Sequence, residues 1–366
     1  MKVKLKTDIL KDAVSRAIKG AGNNKLIPIT SLIGIDVTDN KLTLITTDAT
    51  NYLYIIEDKV VADDFYAVVD ANTFAKLISK MTSDTITLEV KTNVLHVKGN
   101  GNYKIELPLD ENGEPINYPD PYVNLNLSGD TSAGVVNKTT FNVVLETIKP
   151  ALAVTYENPC YTGYYAGDQI VATDACKIAS MNIKLFGEPK LLNPEMVDLI
   201  SVMRSEKISM DIVDNTLILS SPDCIIVGKF MEDIDEFNIE PIMELVATEF
   251  DSSCSVHKNT LLQLLDRLSL FVGTYDDNAI DLTFTQNGLQ ASSKAASGIE
   301  LIEYVSSNNF KEFTCSISID MFVQEIKAIK SDVIEIHYGE DNAIKMVDGN
   351  ITILVALMVD DDYEEE

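Results

Sequence analysis

GDQIVATDACKIASMNI (167–183) sets a Thr-Asp pair, a cysteine and a lysine between apolar residues. It reads either as a small active site or as two strands joined by a tight turn. Its recurrence favours the turn. NKLTLITTDATNYLYI from Asn40 and NGLQASSKAASGIELIEY from Asn287 repeat the order of turn, alternating run, small polar cluster and second run. Asp48, Asp174 and Lys294 fall at corresponding points, 126 and 120 residues apart. A fixed spacing of this kind is the mark of an internal repeat, and Asp at equivalent turns is spent on local backbone hydrogen bonds.

The rest of the chain follows the same threefold plan. Apolar residues recur at i, i+3, i+4 in six segments, 8–20, 70–81, 137–152, 193–204, 257–271 and 318–331, which predicts six helices. Phe141, Val144, Leu145 and Ile148 make one stripe, and Leu261, Leu264, Leu265 and Leu268 make another; such stripes are buried faces. Period-two meanders with DN, NG or GN turns start at Asp84, Glu206 and Ser331, directly after a helix. Units of 1–125, 126–250 and 251–366 result, with Pro-bearing linkers at 112–126 and 231–242. Antiparallel strands covered by two helices make each unit α+β.

Composition narrows the function. No apolar run reaches the roughly 18 residues of a membrane span, and the start MKVKLKTDIL has no signal-peptide core, so a cytoplasmic protein is expected. Cys160, Cys176, Cys224, Cys254 and Cys315 are scattered and do not cluster with His96, His257 or His337, so neither a metal site nor a Cys-His dyad is expected. The sequence has no Walker-type phosphate loop, and no cofactor is called for.

Net charge is −28, from 29 basic and 57 acidic residues, which taken whole opposes binding to a phosphate backbone. The charge is sorted, however. The six helical segments carry Lys11, Arg16, Lys19, Lys76, Lys80, Lys138, Lys149, Arg204, Lys258, Arg267, Lys327 and Lys330 against nine acids, while the remainder is strongly acidic. One reading is a positive face for DNA; the other is that Lys and Arg are good helix formers and suit helix ends.

On LIPITSLIGIDVTDNKLTLITTDATNYL (26–53), YTGYYAGDQIVATDACKIAS (161–180) and the threefold unit, the chain resembles the bacterial DNA polymerase III beta subunit, the sliding clamp. The second stretch is similar to that family's tyrosine-rich turn and V-A-T-D-G-H-R-L-A strand and loop. The resemblance implies a non-catalytic ring of two three-domain subunits joined head to tail, with helices lining a hole for double-stranded DNA. It implies that the twelve helical basic residues and Lys25 face that hole. It also implies a peptide groove for the replicative polymerase, the clamp loader and other partners. By position its lining is Tyr161, Thr173, Ala175, Cys176, Lys177, Ile178, Pro241, Val246, Val355, Ala356, Leu357 and Met358. Val355 to Met358 read equally as a final core strand. The implied subunit contact sets Tyr103 and Ile105 against Leu270 and Phe271, the latter pair being alternatively the last turn of a core helix.

This sequence departs from the family at three points. Ala175, Cys176 and Lys177 stand where the family has Gly-His-Arg, which leaves Lys177 to meet a peptide's acid. AGNN replaces a Gly-Gly-Arg before Lys25. An acidic run, DDDYEEE (360–366), follows the groove strand and reads as a solvated tail able, beside the groove, to screen acidic peptides or to select basic ones. An acidic scaffold on the same fold that never encircles DNA, or a nuclease, are the alternatives.

Overall fold

The computed structural model describes residues 2–58, 60–124, 132–155, 157–273, 278–294, 297–339 and 342–358. One order of elements runs through it three times. The first passage is β1 (Lys2–Lys6), α1 (Thr7–Ala17), β2 (Leu32–Thr38), β3 (Lys41–Thr47), β4 (Asn51–Glu57), β5 (Val61–Ala62), β6 (Phe65–Asp70), α2 (Ala71–Ser79), β7 (Thr85–Lys91), β8 (Val94–Lys98) and β9 (Asn102–Glu106). After the single turn α3 (Pro121–Asn124) come β10 (Ser132–Asn137), α4 (Lys138–Ile148), β11 (Tyr164–Ala166), β12 (Ile170–Thr173), β13 (Lys177–Met181), β14 (Lys190–Leu192), α5 (Pro194–Asp198), β15 (Lys207–Val213), β16 (Thr216–Ser221) and β17 (Cys224–Lys229). After α6 (Ile239–Ala247) follow β18 (Ser252–His257), α7 (Lys258–Leu268), β19 (Ala279–Thr285), β20 (Gly288–Ser293), β21 (Ile299–Ile302), β22 (Ser306–Asn308), β23 (Phe313–Ser318), α8 (Ile319–Ala328), β24 (Val333–Tyr338), β25 (Ala343–Asp348) and β26 (Ile351–Ala356).

The six expected helices are present as α1, α2, α4, α5, α7 and α8. Each has a local cause. Asp70 caps α2 by accepting the Thr73 N–H at 2.7 Å, which satisfies one of the donors a helix start leaves unpaired. Leu261, Leu264, Leu265 and Leu268 of α7 are buried in one stripe, as are Phe141 and Ile148 of α4; the side chains of Val144 and Leu145 lie outside the described residues. Short 3-10 turns then end α1, α4, α5 and α7.

Among the described residues the strands form sheets of five, eight, nine and four strands, all antiparallel where they pair. The chain divides into two compact units, Met1–Asn142 with Glu195–Phe230 and Val143–Pro194 with Met231–Glu366. The five- and eight-stranded sheets belong to the first unit and the others to the second. In the first, Ile45, Tyr54, Val68, Tyr118, Ile218 and Val227 pack into one cluster.

A joint recurs between repeats. β4 pairs with β17, Leu53 opposite Ile226, and β13 pairs with β26, Ala179 opposite Ile353. The first joint demands close approach: a Cβ on Gly228 would collide with Asn51 Oδ1 and meet Met196 Sδ at 2.7 Å. Among the described residues, the strands in the same positions at the two ends, β9 and β21, are sheet edges.

The expectation of a linker at 231–242 fails. Residues Asp233–Glu236 form a 3-10 turn and Ile239 begins α6, whose Ile242 and Val246 are buried. Pro241 misled the reading, because proline is tolerated within the first turn of a helix.

Candidate functional site

The β12–β13 turn is built by two side chains. Thr173 Oγ1 donates to the Lys177 carbonyl at 2.7 Å and accepts the Ala175 N–H at 3.0 Å. Asp174 Oδ1 accepts the N–H groups of Cys176 and Lys177 at 2.9 and 2.7 Å. The β3–β4 turn repeats the pattern: Thr47 Oγ1 donates to the Asn51 carbonyl at 2.6 Å, and Asp48 Oδ1 accepts from Thr50 and Asn51 at 2.8 and 2.7 Å. Ala49 and Ala175 take the left-handed conformation, with φ of +91° and +76°. Both carboxylates are spent on backbone donors, which is turn chemistry.

Lys177 points inward. It is 4% exposed, its Nζ donating to the Pro150 carbonyl at 2.6 Å and to Gln324 Oε1 at 3.0 Å, with Asp174 and Glu325 carboxylates at 3.4 Å each. The expectation that Lys177 meets a peptide's acid is therefore corrected: its charge is consumed inside the unit. Burial pushes the Glu325 carboxyl up to about 7, although Lys177 pulls it down; a carboxylate without water is costly unless neutralised or paired.

Beside the turn lies a small cavity of about 70 Å³, lined by Ala175, Cys176, Ile178, Leu245, Asn342, Ala343, Leu354 and Ala356. Beneath it Cys160, Val171, Ile178, Leu191, Phe237, Ile242, Val246, Ala343 and Leu354 form a continuous apolar cluster. Tyr161 meets Phe237 edge-on at 5.3 Å between centroids. Of the other expected lining residues, Pro241 is exposed on α6, whereas Thr173 and Val355 are buried. Leu357 and Met358 line a different cavity of about 290 Å³ with Asp281, Lys294, Phe313, Thr314, Cys315 and Ser316. Chain direction explains the split, since beyond β26 the Met358 N–H donates to the Ser316 carbonyl at 2.8 Å and draws the chain toward β23. The run 360–366 lies outside the described residues.

The basic side chains differ in burial and in the partners they hold. In the first unit, Lys19, Lys25, Lys76 and Lys80 are exposed and Lys11 is half-buried in a cleft with Asp8 and Asp12. Arg16 is buried: its Nε donates to the Val202 carbonyl at 2.8 Å and its guanidinium meets Asp223, Asp12 and Glu57. Arg204 binds Asp12 and Glu57, and Lys138 donates to the Met203 carbonyl. In the second unit, Lys149 and Lys327 are exposed. Lys258 caps the end of α8 through the Lys327 and Ile329 carbonyls, Arg267 grips both Glu300 oxygens, and Lys330 meets Glu146 at 2.6 Å. Burial of the ion-paired Arg16 gives that residue a structural role, so it does not present charge to a phosphate.

At the sheet edges, Tyr103 of β9 is exposed and Ile105 is turned into its own unit. Leu270 and Phe271, just past α7, are exposed, as are Ile299 and Leu301 of β21.

The sequence profile of the family described as DNA polymerase III beta subunit, N-terminal domain, matches residues 1–118. The structure superposes on the DNA polymerase sliding clamp of Bacillus subtilis with a TM-score of 0.83 at 16% identity, over 98% of this chain and 99% of that one. The fold is that of the bacterial DNA sliding clamps. The clamp fold is shared equally with the beta subunit from DNA polymerase of Streptococcus pyogenes, TM-score 0.83, 16% identity, 98% and 100% covered. For the DNA polymerase III subunit beta of Pseudomonas aeruginosa the values are 0.79, 13%, 98% and 100%. No curated protein sequence matches the chain.

Of the residues expected to line the clamp groove, Ala175, Cys176, Ile178 and Ala356 do line the cavity. Leu245, Asn342, Ala343 and Leu354 were missed. The buried strand registers Ile178 opposite Leu354 and Ala343 opposite Ala356 carry that information, and only the pairing of distant strands reveals it. Among the described residues, no group of His, Cys, Asp and Glu is arranged to hold a metal ion, and no helix is long and apolar enough to cross a membrane.

Proposed function

We propose that this chain is a DNA sliding clamp, a non-catalytic processivity factor of the cytoplasm. Two copies pair head to tail, encircle duplex DNA without reading sequence, and tether the replicative polymerase, the clamp loader and other partners through the cavity beside Ala175 and Cys176. Three clamp domains, 1–125, 126–250 and 251–366, make up each copy. The observation that carries the reading is the pair of open edges. Within the chain, β4 takes β17 and β13 takes β26; the same rule leaves β21 to take β9 of a second copy, which covers both edges at once. Tyr103 on one side and Ile299, Leu301, Leu270 and Phe271 on the other supply exposed apolar surface for that seam. Exposed Lys19, Lys25, Lys76, Lys80 and Lys327 supply positive charge for phosphates, while the acidic remainder repels DNA elsewhere.

The test is size followed by topology. A dimer near twice 40.4 kDa that stays on nicked circular DNA after loading and leaves once the circle is cut supports the proposal. A stable monomer, or equal retention on circular and linear DNA, refutes it and leaves a scaffold on the clamp fold.

A further inference from the structure

We infer that the cavity beside Ala175 and Cys176 takes a peptide whose apolar anchor is flanked by lysine or arginine, an inference that rests on the proposed reading of this cavity as a peptide groove. From 231 to 257 the chain has eight Asp and Glu and neither Lys nor Arg. This acidic stretch forms one wall of the apolar cluster under the cavity. The 3-10 turn Asp233–Glu236 packs Ile234 and the following Phe237 into that cluster and leaves Asp233, Asp235 and Glu236 exposed. α6 contributes Leu245 to the cavity itself and carries exposed Glu240 and Glu244 one turn apart. Cys160 in the cluster registers their proximity: burial, and then the charges of Glu236 and Asp233, push its thiol up.

The two lysines closest in sequence to the cavity walls do not offset this charge. Lys177 is buried among Asp174, Glu325, Gln324 and the Pro150 carbonyl. Lys345, two residues from Ala343, donates to the Val246 and Thr248 carbonyls at 2.9 and 3.0 Å and so caps the end of α6. Lys190, beside the buried Leu191, is half-buried. An arriving peptide meets a small apolar hole, one wall of which, Leu245, belongs to the acidic stretch, and charge complementarity assigns it basic flanks.

The experiment uses the full chain and fluorescein-labelled nine-residue peptides with a central Leu-Leu pair and Lys, Ser or Glu flanks, read by anisotropy. The expected order is Lys, then Ser, then Glu, with about ten-fold between the extremes at low salt and a collapse of the preference at about 0.5 M salt. The triple variant Asp233→Asn, Asp235→Asn, Glu236→Gln loses most of the preference and keeps its affinity for the Ser-flanked peptide. Equal affinity for Lys and Glu flanks overturns the inference. So does a Lys-flanked peptide with a Ser-Ser centre that binds as well as the Leu-Leu one, since attraction would then be the general field of the protein. Filling the cavity with Ala356→Trp separates the two readings. If it abolishes Ser-flanked binding while flanks make no difference, the groove stands and the inference falls; if it changes nothing, both fall.

Discussion

Replacing Lys177 by methionine keeps the side chain's length and removes its charge. The structure sets the cost. Two hydrogen bonds to a charged donor, to the Pro150 carbonyl and Gln324, are lost, and Glu325, fully buried, is left without its cation. Breaking one side of a buried pair costs about 3–5 kcal/mol. The pH dependence is more telling. Glu325 titrates at about 7 with Lys177 present, raised from 4.5, so in the wild type its contribution to stability falls as pH climbs through that window. Without Lys177 the carboxyl stays protonated to higher pH, and the fall continues above 7 at about 1.4 kcal/mol per pH unit. The loss on substitution is thus about 3 kcal/mol near pH 6.5 and about 5 kcal/mol near pH 8.5. Urea unfolding followed by far-ultraviolet circular dichroism measures it, the chain having no tryptophan. Adding Glu325→Leu removes the slope and returns stability to within about 1–2 kcal/mol of wild type. A loss below about 1 kcal/mol at every pH, or one that does not grow above 7, refutes the reasoning.

Arg16→Met removes the guanidinium from Asp223, while Asp12 and Glu57 keep Arg204, and lowers stability by about 3 kcal/mol in urea, whereas Arg204→Met, at an exposed pair, costs at most about 1 kcal/mol. Ala49→Gly and Ala175→Gly each relieve a left-handed alanine and raise thermal stability by about 0.5–1 kcal/mol; an unchanged melting temperature contradicts the turn geometry. Ile299→Lys with Leu301→Lys converts the proposed dimer to a monomer in sedimentation, and a persisting dimer places the seam elsewhere. Lys76→Glu with Lys80→Glu leaves unfolding unchanged and shortens retention on nicked circular DNA, a result checked by filtration at several salt concentrations.

The threefold plan was legible because each repeat carries its own periodicities and its own Thr-Asp or Ser-Lys turn. The six helices and three meanders needed only local pattern. The turn also identified the right neighbourhood for the cavity, since Ala175, Cys176 and Ile178 are tied to it covalently. What depended on partners far along the chain was lost. Residues 177–181 are buried throughout, so β13 shows no alternation and nothing marked Lys177 as inward-facing until Glu325, on a helix of the third repeat, came beside it. Arg16 likewise shares its helix face with Asp12, but its main partner, Asp223, is distant in sequence. α6 was hidden by its acidic, proline-bearing start, and with it Leu245.

In the proposed dimer, the joints β4 to β17 and β13 to β26 connect parts of one polypeptide, so dilution leaves them untouched. A β21 to β9 seam joins separate molecules and obeys mass action. The assembly would then have its weakest points fixed in advance, at two symmetric places, and lowering protein concentration would open it there first, ahead of any loss of fold.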